Sequence, residues 1–447
     1  MIRILSALLL SSILLAGAML YAADQSDAGH ASTENFRALR ADPGWMEKRI
    51  LQLSEFGKNP EGGVSRVAFS DADIQGRKYI FGLMEQAGLK VRIDAAGNII
   101  GRREGRNPKL PVILFGSHID SVPKGGNYDG DVGVLGAIES IEVMNQHKIE
   151  TDHPLEVIVF TDEEGGLVGS KAVAGDLSQD ALKIVSHSGK TIEEGIRAVG
   201  GDPAKLASAK MAPSEILAYV ELHIEQGGIL ESEKINIGVV EGIVGINWWD
   251  VTVTGFANHA GTTPMKGRKD ALVAAARLIE AVSSIATNMP GRQVATVGKI
   301  HAEPGAPNVI PGKVVMSLEI RDLSKAKIDQ VFEEIQKAAN KIGSETGTTF
   351  AFAPVDATAV PAPTDERIRK IIDHSAKDLG LTTKLMPSGA GHDAQDIAQI
   401  APVGMIFVPS IGGISHSPKE FTTAQDMANG ASVLLQTVLR LDHGLEP

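Results

Sequence analysis

The chain has 447 residues, 43% hydrophobic and 22% charged, and its 43 Lys and Arg stand against 55 Asp and Glu for a net charge of -12. That length exceeds one small core and suits two domains. The acidic balance and the lack of any basic run argue against a nucleic-acid partner, because phosphates need cationic side chains to displace their counterions.

Arg3 is followed by an apolar run from Ile4 to Ala18, and Met19 to Ala23 then gives way to Asp24-Gln25-Ser26-Asp27. This predicts a signal peptide over residues 1–23, cut after Ala22 or Ala23, and a periplasmic or secreted protein with no membrane contact after cleavage. Left uncleaved, the same run would be a membrane anchor. There is no cysteine, so stability outside the cytoplasm would rest on core and metal. Ser32 to Leu53 has a helical pattern. Ser70-Asp71-Ala72-Asp73 is a capping signal for a helix that Gly88 closes. Leu89–Ile93 and Asn98–Arg102 predict a strand pair around Gly97.

Four apolar runs of strand length follow, Val112–Phe115, Leu155–Thr161, Leu217–Leu222 and Val403–Val408, separated by helical patterns or long connections. This is the pattern of an α/β domain around a mostly parallel, buried sheet. Metal-binding residue types come directly after each run: His118, then Asp162-Glu163-Glu164-Gly165, then His223-Ile224-Glu225-Gln226-Gly227, and finally Ser415-His416. Ligand sites of open α/β sheets lie at the carboxyl ends of strands, so four segments point to one rim. Between residues 238 and 355 the pattern changes to β-α-β-β-α-β, with strands Trp248–Thr254, Val294–His301, Val314–Arg321 and Thr349–Phe352 and helices Asp270–Ala286 and Lys325–Thr346. That order predicts an inserted ferredoxin-like α+β domain. It divides the rest of the chain into catalytic parts 24–237 and 356–447.

Singly, these residues carry little: a lone His is more often structural, and an Asp before a helix is more often a cap. Together, His118, Asp129, Glu164, His223 and His416 all stand at strand ends or in Gly-rich turns and predict a metal site. A shared Asp129 with two further ligands for each ion would serve two cations about 3.5–4 Å apart. Asp120 suits the role of orienting an imidazole, and Glu163 that of a general base. Imidazole and carboxylate ligands favour zinc, with manganese, cobalt or nickel as alternatives.

The segments GSHIDSVPKGGNYDGDVGVLGA, DEEG, ELHIEQG, HAGTTPM, NVIPG, GAGHDA and GGISHSP, in this order from about Asn35 to Leu441, resemble the N-carbamoyl-L-amino-acid hydrolase and allantoate amidohydrolase branch of the di-zinc aminoacylase and carboxypeptidase G type metallopeptidases. The resemblance implies a zinc-peptidase-like catalytic domain with an inserted lid and dimerisation domain, and therefore a homodimer. It implies that His118, Asp129 and His223 hold one ion and that Asp129, Glu164 and His416 hold the other, with Glu163 as base. It further implies that Gln226, Asn308 and Arg321 hold the carboxylate and amide of a small substrate. His259 would polarise the scissile carbonyl in its own or the partner subunit's site. The chain departs from the family after DEEG, where Gly166-Leu167-Val168 replaces the usual Arg-Phe pair. The expected activity is hydrolysis of a linear ureido C–N bond; a dipeptidase or N-acylamino-acid hydrolase could use the same residues. From another class, a metal-bound binding protein without turnover would keep the ligands but need no Glu163.

Overall fold

The computed structural model describes residues 36–444, so the predicted signal peptide lies outside the described residues. Its strands, in chain order, are β1 (Lys90–Ile93), β2 (Ile99–Arg103), β3 (Val112–His118), β4 (Leu155–Phe160), β5 (Ile216–Ile224), β6 (Ile237–Ile243), β7 (Gly245–Thr254), β8 (Asn258–His259), β9 (Val294–Thr296), β10 (Ile300–Glu303), β11 (Val309–Ile310), β12 (Lys313–Asp322), β13 (Thr349–Ala359), β14 (Ala362–Pro363), β15 (Thr383–Ser388) and β16 (Val403–Val408).

The four apolar runs form the centre of one sheet, in the order β4-β3-β5-β16, all parallel. Their side chains alternate between two cores. Ile113, Phe115, Val220, Leu222 and Ile406 enter one; Leu114, Phe160, Tyr219 and Phe407 enter the other. Burial on both faces is why these strands read as continuous apolar runs rather than alternating ones. Helices Pro43–Leu53, Asp131–Gln146, Glu366–Asp378 and Ala424–Asp442 cover the first face. The short helices Val168–Ala174 and Asp393–Ile397 lie on the second. Antiparallel β1, β2 and β14 extend the sheet edges, and β6 joins β16 antiparallel while pairing β15 in parallel.

A second sheet, in the order β10-β12-β7-β13 with β9 also on β12, is antiparallel throughout. One face, with Val251, Val253, Met316 and Ile320, packs against helices Ala271–Asn288 and Lys325–Thr346. β8 and β11 form a separate pair beside it.

Several boundaries differ from the sequence-based expectation, each for a local reason. Within the predicted helical stretch Ser32–Leu53, the described helix Pro43–Leu53 starts at Pro43, because Asp42 caps it through Gly44 N–H at 2.9 Å and proline suits the first turn. Residues 238–243 stay in the main sheet as part of β6, whose Val239 and Val240 are buried, so the second sheet begins at Gly245. The predicted strand Val294–His301 is split into β9 and β10. The Ser70 cap is present, accepting from Asp73 N–H at 3.2 Å.

Candidate metal centre

β3 and β5 run in register Leu114↔Tyr219, and His118 and His223 each stand four residues further along. Their rings lie side by side with centroids 5.8 Å apart. Both imidazoles are fixed from behind by main-chain carbonyls: Nδ1 of His118 is 3.0 Å from Asp120 O, and Nδ1 of His223 is 2.9 Å from Ile224 O. A proton on each Nδ1 leaves each Nε2 with a lone pair. Both face Asp129 Oδ1, at 3.5 Å from His118 and 3.1 Å from His223, and that of His223 also accepts from Gly130 N–H at 3.2 Å. Nε2 of His118 is buried and has no hydrogen-bond partner among the described residues. Acceptors facing acceptors in a buried site call for a cation between them, so the donor set fits a metal.

The other oxygen of Asp129 faces a second group. Oδ2 lies 3.5 Å from His416 Nε2, which in turn is 3.4 Å from Glu164 Oε1. Thus one carboxylate is divided between the set His118, Asp129, His223 and the set Asp129, Glu164, His416, either of which could hold an ion. The Asp162-Glu163-Glu164 turn opens on a left-handed Asp162 (φ 55°), and its two glutamates diverge: Glu163 Oε2 lies 3.7 Å from His118 Nε2, whereas Glu164 faces His416. Gln226 (φ 57°) and His416 (φ 53°) are also left-handed. Non-glycine residues seldom adopt this conformation, and its appearance at three points of one centre marks a constrained functional site. Gly130 (φ 66°) lets the chain pass under His118, since a Cβ there would lie 2.5 Å from the ring.

The electrostatics follow from burial and mutual proximity. Burial alone would raise the carboxyl of Asp129, but His223, His118 and His416 hold it well below the ordinary aspartate range. Burial would lower His118, yet Glu163, Asp129 and Asp120 hold it well above the usual imidazole value, so these carboxylates favour positive charge at its Nε2, carried by a proton or by a cation. Burial and then Asp129 push Glu164 up to about 7. Glu163 is raised well above the usual range, first by burial and then by Asp393, Glu164 and Asp129, against the pull of His118.

The structure therefore brings together His118, Asp120, Asp129, Glu163, Glu164, His223, Gln226 and His416. Two of them sit differently from the sequence-based expectation. The carboxylate of Asp120 is 3.9 Å from the His118 ring and instead accepts from the N–H groups of Glu163 (3.2 Å) and Glu164 (3.1 Å). Its main-chain carbonyl orients the imidazole, while its side chain shapes the glutamate turn. Gln226 donates to Asp129 Oδ2 at 2.6 Å.

Three predicted residues stand apart. His259, in β8, is exposed and accepts from Gly261 and Thr262 N–H; no hydrogen bond links it to the cluster among the described residues. Asn308 contributes its carbonyl to Ala260 N–H. Arg321 forks onto Glu319 at 2.7 and 3.2 Å and donates to Gly389 O at 2.6 Å. Gly389 lines a cavity of about 490 Å³ beside the centre, together with Gln226, Ile229, Pro387 and His416, so Arg321 reaches its rim.

Other buried polar residues at the centre carried no prediction. His392 packs edge-on against His223 at 4.6 Å and bonds Ser388 Oγ at 2.8 Å; burial and the nearby His223 hold it well below the usual imidazole range. Glu221 accepts from Ser117 Oγ (2.8 Å) and Ala394 N–H (3.0 Å). Glu420 accepts from both ligand loops. Glu221 and His392 lie inside ELHIEQG and GAGHDA, so motif membership was their only signal in the sequence.

Known proteins share this architecture. An N-carbamoyl-L-amino acid amidohydrolase of Geobacillus stearothermophilus is 42% identical over 89% of this chain and 98% of its own length. A ureidoglycolate hydrolase of Arabidopsis thaliana is 38% identical over 90% of this chain and 87% of its own. Among solved structures, an amidase of the hydantoinase/carbamoylase family from Burkholderia multivorans superposes with a TM-score of 0.84 at 36% identity, covering 90% of this chain and 98% of that one. Residues 114–440 match peptidase family M20/M25/M40, and with relatives this similar along their whole length, the chain belongs to that family.

Proposed function

We propose that the protein is a di-metal hydrolase that cleaves the ureido C–N bond of an N-carbamoyl L-amino acid or a related linear ureido acid. The observation that carries this reading is the division of Asp129 between two imidazole-bearing sets, with Glu163 beside one of them. His118, Asp129 and His223 would hold one divalent cation, and Asp129, Glu164 and His416 the other. The donors suit zinc first, and manganese, cobalt or nickel also. Such ions polarise a carbonyl and acidify water.

The chain's own residues supply the remaining chemistry. Glu163 takes a proton from the attacking water and passes it to the leaving nitrogen. Asp120 holds the turn that aims Glu163. His259 donates to the carbonyl oxygen as negative charge develops there, while Arg321, released from Glu319, grips the substrate carboxylate at two points. Gln226 and Asn308 bind the ureido end. One water and R–NH–CO–NH₂ give the free amino acid and carbamate, which decays to ammonia and carbon dioxide.

His259 lies in β8 and Asn308 directly precedes β11, on the same segment as the second sheet, and we assign this segment as an inserted ferredoxin-like lid that also forms a homodimer. Residues 1–23 would direct export. The reading is tested with purified protein loaded with zinc or manganese and a panel of N-carbamoyl amino acids, N-acyl amino acids and dipeptides. Ammonia release from the carbamoyl compounds is expected. Turnover of dipeptides alone would replace the reading with a dipeptidase, and binding without any turnover would remove the enzyme assignment.

A further inference from the structure

His118 and His223 sit on strands inside the sheet, so strand pairing fixes two of the three residues of the first ligand set. The second set is built differently. His416 is on a loop after a glycine-rich turn, and its side chain is 48% exposed. Asp129 is on another loop, far away in sequence. Something must fix these two loops to each other.

Glu420 spans them. The residue is 4% exposed, and its carboxylate accepts on one oxygen from Tyr128 N–H (2.9 Å) and Asp129 N–H (3.0 Å). On the other oxygen it accepts from Ser415 Oγ (2.9 Å) and His416 N–H (3.2 Å). Ser415 Oγ is also 3.0 Å from Asp129 Oδ2, which closes the link between the loops. The Asp129 loop is shaped around this carboxylate: a Cβ at Gly126 would lie 2.0 Å from Glu420 Oε1. Every main-chain partner is a donor, so only a group that accepts on both oxygens satisfies the site; the amide of a glutamine would turn N–H against N–H.

We propose that Glu420 is a positioning residue that assembles the Asp129–Glu164–His416 metal set by clamping the main chain of two of its ligands. This inference rests on the two-ion reading above, and its test uses metal binding rather than turnover. Zn²⁺ affinity and stoichiometry are measured on the full chain by competition with a chromophoric chelator. The wild type is expected to bind two ions. Glu420→Gln should weaken the ion held by Asp129, Glu164 and His416 about 10–100-fold, the range typical of partners behind metal ligands, and the other ion less, because Asp129 is common to both sets while His416 is not. Glu139→Gln, which alters a buried carboxylate that accepts from Asp42 N–H at 2.9 Å away from the centre, should leave both affinities unchanged.

Location is read from double variants. Adding Glu420→Gln to His118→Ala should weaken the remaining ion by that same factor of about 10–100, whereas adding it to His416→Ala should cost markedly less. Equal losses in both backgrounds, or unchanged affinities in Glu420→Gln alone, would overturn the proposal. If Glu420→Gln does not fold, Ser415→Ala removes one arm of the clamp and should weaken the same ion several-fold; no weakening overturns the proposal. If the wild type binds no ion at either set, the reading of the centre itself fails and this inference with it.

Discussion

Glu163 and Glu164 are adjacent in the chain yet face different imidazoles, because a left-handed Asp162 and the carboxylate of Asp120 hold the turn between them. Their replacements should therefore separate cleanly. Glu163→Gln keeps volume and hydrogen bonding but cannot accept a proton, so metal content by elemental analysis should match wild type while kcat falls about 10²–10⁴-fold. Near-wild-type turnover would remove Glu163 from its role. Arg321→Lys replaces a planar fork by a point charge. Loss of two-point carboxylate binding should raise KM about tenfold with little change in kcat, and an unaltered KM would leave Arg321 as only the partner of Glu319.

At the scale of elements, helix Asp131–Gln146 follows directly from the Asp129 loop and carries Glu139, which caps the neighbouring helix region through Asp42 N–H at 2.9 Å. Glu139 is buried, and burial, with Glu142 and Asp42 nearby, raises its carboxyl from 4.5 to about 7. The folded protein then holds a proton that the unfolded chain has released, so stability declines as pH rises from 4.5 to about 7. Glu139→Gln keeps the acceptor and removes the charge. It should match wild type in acid and exceed it above the raised value, by on the order of 2 kcal/mol in denaturant unfolding. A gain independent of pH would show that charge burial is not the cause.

At the scale of the whole molecule, the centre lies at one rim of the main sheet while His259 is exposed on the segment between Gly245 and Ala359. For His259 to act in the proposed reaction, either this segment closes over its own site or a second copy supplies the residue. We expect the latter. Mixing His259→Ala with Glu163→Gln, each inactive alone, should restore about a quarter of wild-type activity, because half of a random mixture is heterodimer and each heterodimer has one complete site. No recovery after subunit exchange would assign His259 to its own subunit.

The sequence by itself determined the central strands, because side chains buried on both faces leave continuous apolar runs in Val112–Phe115 and Val403–Val408. It also determined the five His and carboxylate candidates, because sheet topology sends strand ends to a common rim. β6 and β15 were less legible: they pair at the margin of the sheet, where Lys384 and Leu385 are not buried and the pattern is mixed. Which oxygen of Asp129 serves which imidazole, the use of Asp120 as a turn cap, and the clamp by Glu420 were decided only by tertiary structure. The reason is physical: periodicity reports how each segment meets solvent and core, whereas the meeting of Glu420 with Tyr128 and Asp129 depends on packing between segments nearly three hundred residues apart.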